Sequence, residues 1–369
     1  MDSGIIIKFI IPSAITSFLV TFFLIPKIIR FSRSTNLFPS KLGDRHEHQG
    51  KIPVFGGVGI FAGLMISLFI WRTMVWGDVS MENNYIQEFR TGISIIISLF
   101  IVFFTGLVDD LLSLSPIKKL LLQIISILII ILLGDIEIYS MQGVFGIYDL
   151  PYRWITILFT IFVVVVITNS YNLIDGIDGL AGGLGVISSS LFGILFILNN
   201  DIGFAIFSFS LMGSLLAFLK YNFSPARIFM GDSGSLVVGL ILSIFAIRII
   251  DQGVHIPFDS HFYVKKGPLA AIVILSIPLF DTFRIFCIRS LSGYNPLSPD
   301  RNHIHHVLLD LGFNHKIASF ILWISNILIV VFSYFLIDLK PSLSIFLLSV
   351  FVLACMSLPF IILRVRKNK

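Results

Sequence analysis

Long apolar runs alternate with short polar stretches along this chain, and the runs have the length of membrane-crossing helices. A helix needs about 20 apolar residues to cross the hydrocarbon core of a bilayer. The pattern therefore predicts an all-α, polytopic integral membrane protein with about eleven transmembrane helices. The predicted spans are residues 5–26, 53–71, 91–108, 117–134, 153–170, 179–198, 202–219, 235–250, 268–288, 317–337 and 342–363.

The composition agrees with this architecture. Hydrophobic residues make up 56% of the chain and charged residues only 13%, whereas soluble domains have about 25% charged residues. No run of interleaved aromatic and basic residues is present, which argues against a nucleic-acid partner. Cys287 and Cys355 lie in apolar segments and are expected to be small buried hydrophobes. Residues 1–30 lack a small-residue cleavage site and are interpreted as a first span rather than a removed signal.

Lysine and arginine positions predict the orientation in the membrane. Of the 26 basic residues, 18 follow odd-numbered spans or lie in the C-terminal tail, and eight lie on the other side. The richer side should be cytoplasmic, so the N-terminus is expected outside and the C-terminus inside. The outer connections at 72–90 and 251–267 are expected to be solvated. The cytoplasmic loops that carry polar motifs are about 27–52, 109–118, 169–180, 220–234 and 289–316.

Asp109 and Asp110 form an adjacent pair at the end of the third predicted span. Carboxylates at the edge of hydrocarbon are costly, and two neighbours at a helix end cannot face one direction. One can bind a divalent cation while the other acts as a base or orients a nucleophile, and capping or solvation is the alternative. Lys119 and Gln123 are one turn apart and share a helix face. Lys119 can hold a phosphate or serve as a membrane-surface anchor.

Asn172, Asp175 and Asp178 recur at three-residue spacing between two predicted spans. Gly176 and Gly179 interrupt them and permit a close backbone approach. Carboxylate and amide oxygens beside tight glycine turns suit Mg²⁺ and a nucleotide. A metal-free loop with Asx turns is the alternative.

Asp232 lies in a short Gly-Asp-Ser-Gly turn at the start of the eighth predicted span. A helix N-terminus favours phosphate, and Asp232 can hold the metal. The alternative is a simple N-cap by Asp232 or Ser233. The turn is not a nucleophile elbow, because no strand precedes it.

Histidines His303, His305 and His306 cluster with Arg301 and can grip an anionic diphosphate. Zinc is another ligand that such histidines can take, but no cysteine joins them and their spacing is not a zinc signature. A surface cluster without a role is the alternative.

Arg45, His48 and Lys51 lie in the first inner loop. They either follow the positive-inside rule or bind the anionic head group of a lipid. Together with the carboxylates and histidines they indicate phosphoryl transfer between a charged soluble donor and a lipid acceptor, assisted by a divalent metal.

As an ordered set, motifs between about residues 27 and 310 resemble the polyprenyl-phosphate N-acetylhexosamine-1-phosphate transferases. The matching motifs are Arg45…His48…Lys51-x-Pro53-x-x-Gly56-Gly57, Asp109-Asp110, Ser115-Pro116-x-x-Lys119, Asn169-x-x-Asn172-x-x-Asp175-Gly-x-Asp178-Gly-Leu-Ala, Pro225-Ala226-x-x-Phe229-Met230-Gly231-Asp232-x-Gly234-Ser235 and Pro299-Asp300-Arg301-x-His303-x-His305-His306.

The resemblance is nearest to the branch that transfers N-acetylglucosamine-1-phosphate. The histidine motif reads His-x-His-His, where the phospho-N-acetylmuramoyl-pentapeptide transferases of peptidoglycan synthesis tend to have three adjacent histidines. Eleven spans also fit this branch, and that muropeptide branch, with ten, is the alternative. An ion-coupled transporter is a rival of another class. Its ionisable groups would lie near the bilayer midplane in repeated halves, whereas the acidic residues here lie at span ends.

The resemblance implies one transmembrane catalytic domain, 1–369, and a role for each motif. Asp232 would bind Mg²⁺, with Mn²⁺ as a substitute, Asp109 would activate the lipid phosphate, and Asp110 would assist. A third acid often follows this pair, but Leu111, Leu112 and Ser113 stand there. The remaining roles implied are Asn172 at the metal; Asn172, Asp175 and Asp178 along the nucleotide cleft; Asn222 and Phe229 at the uridine; and Lys119, Arg301, His303, His305 and His306 at the donor diphosphate and sugar.

The implied substrates are UDP-N-acetylglucosamine and undecaprenyl phosphate or another polyprenyl phosphate, whose phosphate would lie at Arg45, His48 and Lys51. The implied location is the plasma membrane, with the active site on its cytoplasmic face. The step would be the first membrane reaction of a cell-surface glycan such as lipopolysaccharide or teichoic acid. The lipid bilayer is a partner, and a homodimer is left open.

Overall fold

The computed structural model describes residues 6–35, 52–78, 85–255, 263–264, 266–293 and 302–367. A short π-helical turn, Ile6–Ile10, precedes the first helix, and a 3-10 turn, Tyr334–Leu336, follows the twelfth. The helices are α1 Ile11–Ser34, α2 Gly56–Asp78, α3 Tyr85–Leu112, α4 Pro116–Gly134, α5 Arg153–Ile174, α6 Leu180–Leu198, α7 Ile202–Asn222, α8 Asp232–Gln252, α9 Gly267–Ile274, α10 Ser276–Leu291, α11 Ile304–Asp310, α12 His315–Ser333 and α13 Pro341–Lys367. The strands are β1 Ser140–Val144, β2 Ile147–Asp149, β3 Val254–His255 and β4 Tyr263–Val264.

All eleven predicted spans fall on helices, which confirms an all-α polytopic membrane protein. Within the described ranges, nine helices are long and apolar enough to cross a bilayer. The bent pair α9–α10 makes a tenth if counted as one span, and α2 adds a shorter apolar stretch, Gly56–Trp71. The eleven segments are therefore not eleven equivalent straight spans.

The two connections expected to be solvated contain regular secondary structure. Within 72–90, α2 continues to Asp78 and α3 begins at Tyr85, so most of this stretch is helical. Within 251–267, strands β3 and β4 form an antiparallel pair. A second antiparallel pair, β1–β2, lies between α4 and α5. Such short hairpins escape a hydropathy argument, which detects only long apolar runs.

Helix α8 is the centre of the bundle. Every residue of α8 from Ser233 to Ile250 except Arg248 is buried inside the protein. Its residues are apolar on every side, as expected for a helix enclosed by other helices. Helices α2, α3, α5, α6 and α9 pack around it.

Glycines let the neighbouring helices touch the backbone of α8 at its first turn. A Cβ on Gly57 of α2 would lie 2.2 Å from the backbone nitrogen of Gly234. A Cβ on Gly106 of α3 would lie 2.4 Å from the carbonyl oxygen of Asp232. Small residues permit this close approach between membrane helices. The position of Asp232 is consequently fixed by backbone contacts from two sides.

The segment predicted as one span at 268–288 is two helices that meet at 82°. Pro278 has no N–H, so the carbonyl of Ile274 four residues earlier loses its helical partner. The hydroxyl of Ser188 (3.3 Å) and the amide nitrogen of Asn326 (3.4 Å) donate to that carbonyl instead. Side chains of two neighbouring helices thereby satisfy the break inside the bundle.

The orientation deduced from basic residues predicts the accessibility of the two ends of α4. Tyr148 in the hairpin beyond its C-terminus is 69% exposed, and Leu112 just before its N-terminus is 76% exposed. In a background with Cys287 and Cys355 changed to serine, Tyr148→Cys should react with an impermeant maleimide added to intact cells. Leu112→Cys should react only after permeabilisation. The opposite labelling pattern would invert the topology.

Candidate active site

Carboxylates from three helix ends gather at the N-terminus of α8. Asp109 and Asp110 lie at the end of α3, Asp232 is the first residue of α8, and Asn172 and Asp175 lie at the end of α5. The chain brings these positions together from separations of up to 123 residues along the sequence. The convergence predicted from the motifs is therefore present in the fold.

Asp110 caps helix α8 from the neighbouring helix. Its two carboxylate oxygens accept the backbone N–H groups of Asp232 (2.8 Å) and Ser233 (3.0 Å). These first-turn donors have no partner within their own helix, and a negative charge there is favoured by the helix dipole. Gly231 adopts φ 74°, and a Cβ on it would lie 2.7 Å from an oxygen of Asp110. Asp110 thus binds α3 to α8, whereas its catalytic role stays a prediction.

Lys119 joins the other two carboxylates. Its ammonium lies 3.2 Å from Oδ2 of Asp109 and 2.7 Å from Oδ2 of Asp232. Asp109 is fully buried and also accepts the backbone N–H of Leu114 at 2.7 Å. An unpaired charge in this position would be costly, so the lysine is the counter-charge that the pair requires.

Asn172 completes the surroundings of Asp232. Its amide nitrogen donates to Oδ1 of Asp232 (3.0 Å) and to the hydroxyl of Ser235 (2.7 Å). The nitrogen is committed by these contacts, and the amide oxygen is the atom of this side chain that a metal would use. The nearby Asn169 donates to the side-chain oxygen of Gln123 at 3.1 Å. The face shared by Lys119 and Gln123 therefore borders the acidic cleft, which is formed by Asp109, Asn172, Asp175 and Asp232.

The donor set fits a hard divalent cation that shares its coordination with substrate. Among the described residues, no group of three His, Cys, Asp or Glu side chains forms a ready metal cage. Mg²⁺ needs no such cage, because it commonly takes one or two carboxylates and completes its shell with water and phosphate. The carboxylate of Asp232 and the amide oxygen of Asn172 are hard oxygen atoms of the kind that such an ion takes.

The pKa of Asp175 is raised well above that of an ordinary aspartate. It follows the last residue of α5. Burial, followed by the negative charges of Asp232, Asp110 and Asp178, raises its pKa to about 7. Asp175 is therefore poised to lose a proton when positive charge enters the cleft.

Hydrogen bonds join the turn after α5 to the loop before α8. Asn222 accepts the backbone N–H of Gly179 (2.9 Å) and donates to the carbonyl of Ile228 (2.9 Å). Asn222 is 3% exposed, so in this structure its amide braces the two loops. Asp178 accepts the backbone N–H of Ala226 at 3.1 Å. The predicted contact of Asn222 with uridine stays a prediction.

Asp178 has a second partner that the sequence did not indicate. His315, the first residue of α12, places Nδ1 3.3 Å from Oδ1 of Asp178. Burial alone would raise the pKa of Asp178, but the hydrogen bonds of His315 and of the Ala226 backbone lower it below its ordinary value. His315 stands at the polar edge of an apolar segment, and no motif marks it.

The backbone of Phe229 joins the loop before α8 to the start of α2. Its N–H donates to the carbonyl of Pro53 (2.8 Å), and its carbonyl accepts the N–H of Gly56 (2.9 Å). The loop before α8 thereby satisfies the first turn of α2. The side chain is half-buried, and its predicted role at the uridine stays a prediction.

The histidine motif packs against the acidic loop, residues 175–178, which follows α5. His305 is 1% exposed, and a Cβ on Gly176 would lie 2.1 Å from its Nε2. Burial, together with the neighbouring His306, lowers the pKa of His305 to about 3. The ring is consequently neutral at pH 7 and meets any ligand without a positive charge.

His303 binds a carboxylate that sequence reasoning missed. Its Nδ1 lies 2.8 Å from Oδ2 of Asp281 in α10. An acidic residue inside a predicted span, with Arg284 one turn later, is a signal that would have singled it out. Four further predicted residues lie outside the described ranges, and their roles stay predictions; they are Arg45, His48, Lys51 and Arg301.

Comparison with known proteins identifies the family. Residues 92–250 match the model of glycosyl transferase family 4. The chain is 31% identical to a probable undecaprenyl-phosphate N-acetylglucosaminyl 1-phosphate transferase of Bacillus subtilis, over 84% of this chain and 80% of the relative. Undecaprenyl-phosphate α-N-acetylglucosaminyl 1-phosphate transferases of Yersinia pestis (28% identical) and Escherichia coli K12 (27%) match over 74% of this chain and 70% of theirs.

These relatives agree with the ordered motifs and with the acidic cleft between helix ends in a multi-pass membrane protein. The similarity covers the helices that carry Asp109, Lys119, Asn172 and Asp232. The chain belongs to the polyprenyl-phosphate N-acetylhexosamine-1-phosphate transferases, the membrane transferases of glycosyl transferase family 4.

Proposed function

We propose that this protein transfers N-acetylglucosamine-1-phosphate from UDP-N-acetylglucosamine to undecaprenyl phosphate or another polyprenyl phosphate, releasing UMP. The observation that carries the proposal is the ion cluster in which Lys119 joins Asp109 and Asp232 at the meeting point of three helix ends. The names of the relatives give undecaprenyl phosphate as the acceptor and N-acetylglucosaminyl 1-phosphate as the transferred group, and they do not favour the muropeptide alternative.

Asp232 and Asn172 would hold Mg²⁺, or Mn²⁺ in its place, at the open side of the cleft. When bound, the metal would supply positive charge to the diphosphate of the donor. Asp232 is oriented for this by Asn172 at 3.0 Å and by the capped first turn of α8. Lys119 is the second cation within reach and would hold the same diphosphate.

Asp109 would act on the acceptor. Its carboxylate lies at the end of α3, near the level at which a lipid phosphate would lie at the membrane surface. It would take the proton of the acceptor phosphate, whose oxygen then attacks the phosphorus that carries the sugar. The new P–O bond forms as the bond to UMP breaks. A covalent intermediate on the carboxylate is the other route that this arrangement permits.

The location follows from the donor. Nucleotide sugars are made in the cytoplasm, so the cleft would open to the cytoplasmic face of the plasma membrane. The larger number of basic residues on the side of the motif-bearing loops supports that same face. The product would be the lipid-linked sugar that begins a cell-surface glycan.

Asp232→Asn tests the metal and the reaction together. Purified wild-type protein should release UMP from UDP-N-acetylglucosamine only with a polyprenyl phosphate and Mg²⁺ or Mn²⁺. The variant should lose roughly 10²-fold or more in turnover, because it removes a charge that acts in the transition state. Asp149→Asn, which removes an exposed charge from β2, is the control and should be unchanged. Undiminished wild-type turnover in excess EDTA would contradict metal dependence, and turnover of the muramoyl-pentapeptide donor would favour the other branch.

Asp109→Asn separates the base from the binding groups. It preserves the shape of the side chain but removes the proton acceptor, so kcat should fall strongly. Binding of the donor, measured by calorimetry with UDP-N-acetylglucosamine and Mg²⁺, should change little. A variant with weakened donor binding and an intact kcat would make Asp109 a binding group and Asp110 the next candidate for the base.

Asp175 predicts that metal binding depends on pH. Below its pKa of about 7 the carboxyl is protonated and neutral, and above it the carboxylate adds negative charge to the cleft. The apparent affinity for Mg²⁺ should therefore rise between pH 6 and pH 8, with uptake of metal releasing protons. Asp175→Asn should flatten this dependence in a Mg²⁺ titration. An equal pH dependence in the variant would assign the titration to another group.

A further inference from the structure

Asp281 is a buried carboxylate that the proposed chemistry does not use. It lies in α10, is 1% exposed and receives three hydrogen bonds. Oδ2 lies 2.8 Å from Nδ1 of His303, and Oδ1 accepts the backbone N–H of Ile304 (3.1 Å) and a guanidinium N–H of Arg284 (3.0 Å). An ionised carboxylate only accepts, so Nδ1 of His303 must carry the proton in this contact. In the neutral ring, Nε2 is then the nitrogen with a free lone pair.

Arg284 holds the same turn from a second direction. Its guanidinium donates to the carbonyl of Asn302 as well as to Asp281, and it lies 4.0 Å from the ring centroid of Phe360 in α13. Two side chains of α10 therefore hold the backbone on either side of His303, and Phe360 of α13 packs against Arg284. This turn begins α11, whose N-cap is His303 itself.

The bend between α9 and α10 brings this carboxylate to the histidine turn. Asp281 lies three residues after Pro278, on the arm that leaves the break at 82°. A straight helix through the break would carry Asp281 in another direction. The polar contacts of Ile274 at the break thus contribute to where Asp281 stands.

Packing of the histidine rings links the position of His303 to the acidic loop. The His303 and His305 rings stack with centroids 5.6 Å apart and planes at 11°. His305 in turn lies on the backbone of Gly176, between Asp175 and Asp178. A rotation of the His303 ring would therefore disturb the wall of the cleft.

We propose that Asp281 is a positioning residue that sets the tautomer and orientation with which His303 meets the donor. It acts through His303 and touches neither substrate. The proposal deepens the proposed function, on which the contact between the histidines and the donor rests.

Asp281→Asn is the informative variant because it preserves size but replaces one acceptor oxygen with a donor. One of its three N–H partners must then lose its acceptor. We expect kcat/KM for UDP-N-acetylglucosamine to fall roughly 10- to 100-fold, as for carboxylates that orient functional histidines. KM for the polyprenyl phosphate should be unchanged. Asp281→Glu preserves the carboxylate and should recover part of the loss.

Asp201→Asn is the matched control. Asp201 accepts Nε of Arg248 (2.9 Å) and the amide of Gln252 (2.7 Å) at the opposite end of the bundle, so this variant also breaks a carboxylate–arginine contact. It should lower the melting temperature without changing kcat/KM for the donor. An equal loss of kcat/KM in both variants would reduce the effect to general destabilisation and overturn the proposal.

A second measurement does not depend on activity. The rate at which diethyl pyrocarbonate modifies His303, followed by peptide mass spectrometry without substrates, should be low in the wild type, where this residue is 7% exposed. It should rise several-fold in Asp281→Asn and not in Asp201→Asn. If the wild type fails to use UDP-N-acetylglucosamine, the proposed function fails while this labelling still tests the position of His303. Unchanged labelling together with an unchanged kcat/KM in Asp281→Asn would overturn the proposal.

Discussion

The arrangement of the cleft depends on the N-terminus of α8, where the first N–H groups of a buried helix must find partners inside the protein. A helix end in a membrane protein cannot leave these groups unsatisfied without a cost of several kcal/mol each. Asp110 supplies the acceptors from α3, and Gly231 allows the carboxylate to approach. Together with the backbone contact at Gly106, this cap fixes α3 relative to α8, and with it the distance between Asp109 and Asp232.

The remaining charges of the cleft follow from that placement. Asp109 and Asp232 are held so close that one ammonium, that of Lys119, contacts both. Asp175 adds a further acid, whose pKa is raised to about 7 first by burial and then by the negative charges of Asp232, Asp110 and Asp178. Because additional positive charge would offset this repulsion, the electrostatics favour a ligand that arrives with a cation.

Much of the fold could be predicted from the sequence, because the thickness of a bilayer imposes a length on every span. All eleven predicted segments are helical for that reason. The motifs around Asp109, Asn172 and Asp232 also converge as expected, because polar residues at the ends of packed spans meet at the same surface of the membrane. Local sequence was sufficient for these features.

Other features depend on contacts between distant parts of the chain. Pro278 predicts a disturbance in its span, but the angle of 82° depends on Ser188 and Asn326 from other helices. Likewise, the pair Asp109-Asp110 was expected to divide its roles, yet only the structure shows that Asp110 is the one used as a cap. His315 carries no motif and is found only through its contact with Asp178.

The glycine contacts of Gly57 and Gly106 with α8 have a mechanical consequence. Where backbone touches backbone, no side-chain rotamer can change to absorb a displacement, so this side of the cleft is stiff. The wall built from stacked histidine rings and the His315 contact is instead joined by side chains that can rotate. Movement within the cleft is therefore expected at the histidine wall, while the acidic wall at the N-terminus of α8 keeps its position.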